Sequence, residues 1–470
     1  MEFDRTTDRP SPRPRRPSET VPTLEYVNPH MVRTERRVVI TGLGIVSPIG
    51  TGIDAFWSSL AEGRGGVAPI ASFPVDGLPT DAVAEVRGFD AMAHALPKTK
   101  RALKKGLKYM ARDIQLAVAA AMMAVSDAGL VDGGVDPTRF GVDLGAGLIS
   151  TELDELAPAL THASDADGGF DYHVYGREGI PIILPTWLLK YLPNMLACHI
   201  SILLDCQGPS NTITEAEAAS CLAIGEATRI IARGRADVMV TGGADSKIHP
   251  LSLVRMSLLE QMTHWRGDPS KAVKPFDVRR DGTVAGEGAC ILILEEREHA
   301  LKRGAKVYGE ILGFGSACDA KPGGGLDPEG VGTEIAVRSA IRDAKLTPAD
   351  IGHVNAHGVG TVVSDAAEAR AIGRVFGKSG KTPVTALKGY LGNIVSGCGA
   401  VELAGSLLGV NRGMIPYVLN CEQPDPACDV ALVLNEPLPT TNPTFVTCNV
   451  TRHGQAAALV VRGDAGGRSS

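Results

Sequence analysis

The chain has 470 residues, 44% hydrophobic and 21% charged, enough apolar material for a large core in one two-lobed unit or in two domains. A net charge of -6 and a pI near 6.0 leave no basic footprint for nucleic acid. No apolar run reaches spanning length, since the best candidate, Leu184 to Leu204, is interrupted by Lys190, Pro193, Asn194 and His199, and the nine cysteines contain no Cys-x-x-Cys pair. That usage indicates neither zinc nor a disulfide framework, calls for no cofactor, and fits a reducing cytoplasm.

Residues 1–33 are rich in Pro and Arg without apolar periodicity and read as a disordered extension, with Met31 as an alternative start; residues 464–470 read as a disordered tail. The stretch Arg37-Val-Val-Ile-Thr-Gly-Leu-Gly-Ile-Val-Ser-Pro-Ile-Gly50 is a β-branched strand running into a glycine loop, and Tyr308 to Gly315 echoes it faintly. Gln115 to Ala128 is an alanine-rich helix ending at Gly129. Thr161 to Ile180, rich in Asp, Gly and Tyr, reads as a surface loop. Ile224 to Arg233 is a helix leading to a buried strand, Asp237 to Gly243. Short strands alternating with helices imply a layered α/β fold.

Several motifs then carry a resemblance. The opening strand and glycine loop, Pro275-Phe-Asp-Val-Arg-Arg-Asp-Gly-Thr-Val-Ala-Gly-Glu-Gly288, the strand Ile291 to Glu296 and Asn355-Ala-His-Gly-Val-Gly-Thr361 together resemble elongating β-ketoacyl-acyl-carrier-protein synthases, from about Arg36 to Gly463. The resemblance implies a thiolase fold, two related βαβ-type halves in an α-β-α-β-α arrangement, with a ketosynthase N-terminal half over 34–295 and a C-terminal half over 296–463. It also implies acyl carrier protein as partner, presenting a phosphopantetheine-linked chain, and a dimer with itself or with an active ketosynthase. The dimer contact is expected around Asn194 to Asn211, where the strand before the nucleophile turn would use Ile200-Ser-Ile-Leu-Leu204. Relative to the family, 161–180 is an insertion.

Residue by residue, the resemblance places the family's nucleophilic cysteine, in the stretch Gly208 to Ala227, on Glu217. A carboxylate cannot form the thioester of two-step condensation. The first histidine falls on His357, the lysine on Lys388, the second histidine on Asn393, and the supporting acidic pair on Asp365 and Glu368, three apart on one helix face. The C-terminal gate loop has become Asn449-Val-Thr-Arg-His-Gly-Gln455, and Val359 stands for a pantetheine-contacting threonine; Thr361, Arg452 and His453 remain as candidate substrate contacts. Glu217 is expected either to be a base or to pair with Arg452 or His453. Cys221, one turn further, is expected to be a core residue, with a displaced nucleophile as the alternative.

Three readings follow from the resemblance. The chain is a chain-length-factor-like or otherwise non-condensing subunit; or it keeps malonyl-thioester decarboxylation or other acyl-thioester chemistry through Glu217, His357 and Asn393; or it is a structural paralogue that binds carrier protein without turnover.

Overall fold

A computed structural model describes residues 36–464 except 132, 260, 322–323 and 378–381. The sequence extension 1–33 and the tail from 465 lie outside the described residues. Numbering the principal strands, the first half contributes β1 (Val38–Ser47), β2 (Phe140–Ala146), β3 (Ser210–Ile213), β4 (Val238–Ser246) and β5 (Glu287–Glu296). The second contributes β6 (Gly309–Cys318), β7 (His353–Asn355), β8 (Val384–Thr385), β9 (Thr444–Val450) and β10 (Gln455–Gly463). They lie in the order β8-β7-β9-β10-β6-β1-β5-β4-β2-β3, and a short strand, Gly50–Thr51, folds back on β1.

This order is an internal duplication. Within each half the third strand pairs parallel with the second, the second parallel with the fourth, the fourth antiparallel with the fifth and the fifth antiparallel with the first. The halves meet where Val38 to Ile40 of β1 run antiparallel to Gly309 to Ile311 of β6. The two strands that echo each other in sequence are therefore equivalent first strands, and they form the seam. From Arg36 onward the chain forms one compact unit.

The central strands are buried on both faces, so they read as near-continuous apolar runs rather than alternating ones. Period-two geometry splits each run between two cores. On β5, Ile291 and Ile293 pack outward with helix α1 (Arg112–Asp127), whereas Cys290, Leu292 and Leu294 face a central layer. That layer holds α4 (Ala219–Ala232) and α8 (Cys398–Asn411), the latter with no exposed residue from Cys398 to Val410. On β10, Ala457, Leu459 and Val461 face the same layer, while Ala456, Ala458 and Val460 pack against α6 (Val331–Asp343) and α7 (Val362–Phe376). The result is the five-layer arrangement of a thiolase fold, with two helix N-termini facing each other in the middle.

Two expectations need correction. The segment expected as a loop over 161–180 is mostly short exposed helical turns following α2 (Leu153–His162), because Asp171 accepts from the His173 and Val174 amides and Phe170 packs its ring against Tyr172 and Tyr175 at 5.1 and 5.5 Å. Ile200 to Leu204 is not strand but the end of helix α3 (Met195–Leu204), whose inner face packs on α1; the strand before the turn is β3.

Candidate active site

The site is built where the two halves present matching turns. After β3 the backbone enters a tight turn at Ala216, in the left-handed region at φ 39°, and Glu217 follows directly before α4. After β8 the same device recurs: Val395 takes φ 51°, a costly position for a β-branched side chain, directly before α8. Gly145 of β2 has no side chain because a Cβ there would collide with the Ser220 amide, so α4 can seat its N-terminus against the sheet. The Ser220 hydroxyl accepts from the Ala400 amide at 3.1 Å, capping α8 from the opposite half.

Glu217 is 6% exposed, and its Oε1 accepts from Asn393 Nδ2 at 3.0 Å. The amide of Asn393 cannot be reversed: its Oδ1 accepts from the Val395 amide at 3.0 Å and from the Cys398 thiol at 3.3 Å. The expected pairing with the C-terminal loop is not what forms. Among the described residues no hydrogen bond joins Glu217 to Arg452 or His453; Arg452 instead donates to the Leu259 carbonyl at the end of α5 (Pro250–Leu259), where a cation suits the helix C-terminus. The physical reason is the loop's tight turn, in which the Thr451 hydroxyl accepts from the His453 and Gln455 amides and leaves residues 452 and 453 exposed.

His357 lies near the start of the loop after β7. Its backbone amide and that of Gly358 donate to Glu368 at 2.6 and 2.9 Å, while Asp365 accepts from the Gly360 and Phe276 amides at 3.0 and 2.8 Å. Both acids project from α7, so the pair holds the loop rather than touching the cavity. Burial pushes Glu368 up to about 7 and Asp365 up to about 6. Thr361 caps α7 through the Ser364 amide.

Nδ1 of His357 faces two donors, Lys388 Nζ at 3.0 Å and Asn449 Nδ2 at 3.2 Å, so its proton belongs on Nε2. Burial, and secondarily the Lys388 charge, hold the imidazole well below its ordinary pKa, hence neutral. Lys388 also donates to the His357 carbonyl at 2.8 Å and to Glu402 at 2.6 Å; burial works against its charge, but Cys398 and Glu402 outweigh that and raise its pKa. Asn449 donates to the other Glu402 oxygen at 2.7 Å and accepts from the Cys221 thiol at 3.2 Å. Cys221 is fully buried, and burial drives its thiol far up, so it is a core residue and not a displaced nucleophile.

Glu402 and Asn449 complete the network and were not singled out in the sequence. The signal for Glu402 was an acid in the otherwise apolar run Gly399 to Gly405, which demands a buried partner. Asn449 carried no such signal.

Two cavities open on Glu217. One, about 440 Å³, is lined by Leu148, Pro193, Met256 and Val395 together with Lys247, Arg255, Asn393 and His453. The other, about 270 Å³, is more polar and contains His357, Val359, Thr361, Ser364 and Gln261. Glu217, Leu259 and Arg452 line both.

Residues 35–300 match the Beta-ketoacyl synthase, N-terminal domain, and residues 308–422 the Beta-ketoacyl synthase, C-terminal domain. The chain belongs to the β-ketoacyl synthase family. It is 35% identical to the 3-oxoacyl-[acyl-carrier-protein] synthase 2 of Coxiella burnetii, covering 86% of this chain and 92% of that one, and 34% identical to a putative polyketide beta-ketoacyl synthase 1 of Streptomyces cyaneus, covering 92% and 99%. Among solved structures, the ishigamide ketosynthase/chain length factor superposes with a TM-score of 0.78 at 30% identity, over 91% of this chain and 99% of that one. This ketosynthase-like protein thus sits among proteins of fatty acid and polyketide biosynthesis. Among the described residues no helix is long and apolar enough to cross a membrane.

Proposed function

We propose that this chain is a non-condensing, chain-length-factor-like subunit that pairs with a cysteine-containing ketosynthase and contributes to holding a carrier-bound acyl chain. One observation carries the reading: the strained turn that displays a family nucleophile is intact, yet it displays Glu217, whose Oε1 is tied to Asn393. No sulfur replaces the missing thiol. Cys221, Cys398 and Cys448 are all buried, and burial raises all three well above the ordinary thiol range. A surface for a partner adjoins the site. Among the described residues β3 pairs only with β2, leaving its far edge open, and α3 beside it turns Ile202 outward at 74% exposure. Leu184 and Leu188, just before α3 in the chain, are also exposed.

The test is co-expression with a cysteine-containing ketosynthase, followed by light scattering and by intact mass spectrometry after adding acyl carrier protein loaded with an acyl chain. A stable pair in which only the partner becomes acylated is expected. Self-association without partner capture, or an acyl adduct on this chain, overturns the reading.

A second reading, in which the site still acts on a carrier thioester through Glu217, His357 and Asn393, is favoured by the meeting of the two cavities at Glu217. Within it, malonyl decarboxylation is disfavoured, because a carboxylate at position 217 repels the malonyl carboxylate.

A further inference from the structure

We infer that Glu217 is a general base that directs water at an acyl thioester, so that the site releases acyl chains from a pantetheine-type thiol as free acids. The inference rests on the second reading above and names its reaction. Four features of the site point to it.

First, the carboxylate is half anchored and half free. Oε1 is fixed by Asn393, which is itself fixed by the Val395 amide and the Cys398 thiol, so the direction of Oε2 is set. Oε2 accepts no hydrogen bond from the described residues, and it is not one of the polar atoms sealed away without a partner. Glu217 lines both cavities, so Oε2 faces the space where they meet. Second, that meeting point is where a thioester carbonyl would lie. The cavity of about 440 Å³ offers Leu148, Pro193, Met256, Leu259 and Val395 to an acyl chain, beside Lys247 and Arg255, and the hydroxyl- and amide-bearing side chains of Thr361, Ser364 and Gln261 in the other suit an amide-containing thiol arm.

Third, the site offers hydrogen-bond donors for a developing oxyanion. His357 presents its Nε2–H to the polar cavity because both donors on Nδ1 exclude the other tautomer. Asn393, with one N–H on Glu217, borders the larger cavity with its second N–H in hand. Fourth, the histidine cannot itself take the proton of water, since its only lone pair already accepts from Lys388 and Asn449. That leaves Glu217 as the base.

The step balances without a further reactant. Glu217 Oε2 takes a proton from water as the water oxygen bonds to the thioester carbon, giving a tetrahedral oxyanion held by His357 and Asn393. The oxyanion collapses, the C–S bond breaks, and the departing thiolate recovers the proton from Glu217. One thioester and one water become one carboxylic acid and one thiol.

Octanoyl-N-acetylcysteamine, a small pantetheine-type thioester, is the probe, incubated with the full chain in water enriched in oxygen-18. Expected are equal amounts of thiol and octanoate, one heavy oxygen in each octanoate, and no acyl-protein mass. Glu217→Gln is expected to slow release by about 100-fold or more with unchanged melting. Should Glu217→Gln fold poorly, the isotope content decides, together with Glu217→Asp, which retracts the carboxylate and is expected to keep a slower but measurable rate. Absence of release by the wild type, undiminished release by a folded Glu217→Gln, or an acyl-protein adduct each overturns the inference. Loss of partner capture with hydrolysis intact would instead overturn only the subunit reading.

Discussion

At the scale of single residues, the site is organised around buried charge. Lys388 sits among three acceptors, the His357 ring, the His357 carbonyl and Glu402, with no exposure to water. Removing one partner of such a pair leaves the other uncompensated, so Lys388→Ala is expected to destabilise the chain by about 3–5 kcal/mol in urea unfolding, and Lys388→Met combined with Glu402→Leu to recover part of that loss. A second consequence concerns pH. Burial raises Asp365 to about 6, Glu368 to about 7 and, with Asp245 adding its charge, Asp113 to about 8. In the unfolded chain these acids release their protons near pH 4, whereas the folded chain keeps them bound until pH 6 to 8. Folding therefore holds extra protons across that window, and stability falls as pH rises through it. Melting scans from pH 5.5 to 8.5 should show a declining Tm. Asp113→Asn, whose amide oxygen can still accept from the Ser246 amide now bound at 2.9 Å, should flatten the upper part of the decline.

At the scale of elements, function depends on two strained entries into helices. Ala216 and Val395 hold left-handed backbone at equivalent places in the two halves, and each positions a side chain that the site uses: Glu217 follows Ala216, and the Val395 amide orients Asn393. Strain of this kind costs about 1–3 kcal/mol and persists only because the surrounding layers enforce it. Val395→Gly is therefore expected to be neutral or to stabilise by up to about 1 kcal/mol, where a Val-to-Gly change in ordinary backbone would destabilise; chemical denaturation measures the difference. Neither strained position is visible in the sequence, because alanine and valine carry none of the glycine or asparagine signals of left-handed backbone. The helix α4, by contrast, was legible except at its start. The sequence places the helix at Ile224 to Arg233, whereas it begins five residues earlier, at Ala219, close behind the reactive turn.

At the scale of the whole molecule, duplication places the site on the seam. Glu217 comes from the first half and Asn393, His357 and Lys388 from the second, so the site assembles only when both halves pack. Under the proposed subunit reading, a ketosynthase partner would dock at the open edge of β3 and the exposed Ile202 next to it. Ile202→Glu should leave the melting temperature of the isolated chain unchanged, since the side chain is already 74% exposed, while lowering capture of a ketosynthase partner in pull-down at least tenfold.

The layered α/β class was readable from the chain itself, because glycine loops and β-branched runs are local properties that survive without a partner element, and the positions of Glu217, His357, Lys388, Asn393, Asp365 and Glu368 followed from the resemblance of their motifs to the ketosynthase family. Tertiary structure decided what each of them touches. The sequence offered Arg452 and His453 as ion-pair partners for Glu217, but pairing across layers depends on where a five-residue turn points, and the Thr451 hydroxyl bends it outward. Asn393 took the carboxylate instead, and Asn449 and Glu402, more than 40 residues apart in the chain, closed the network around Lys388 and His357. Hydrogen-bond direction in a buried network is fixed by every neighbour at once, and no single segment of the chain contains those neighbours.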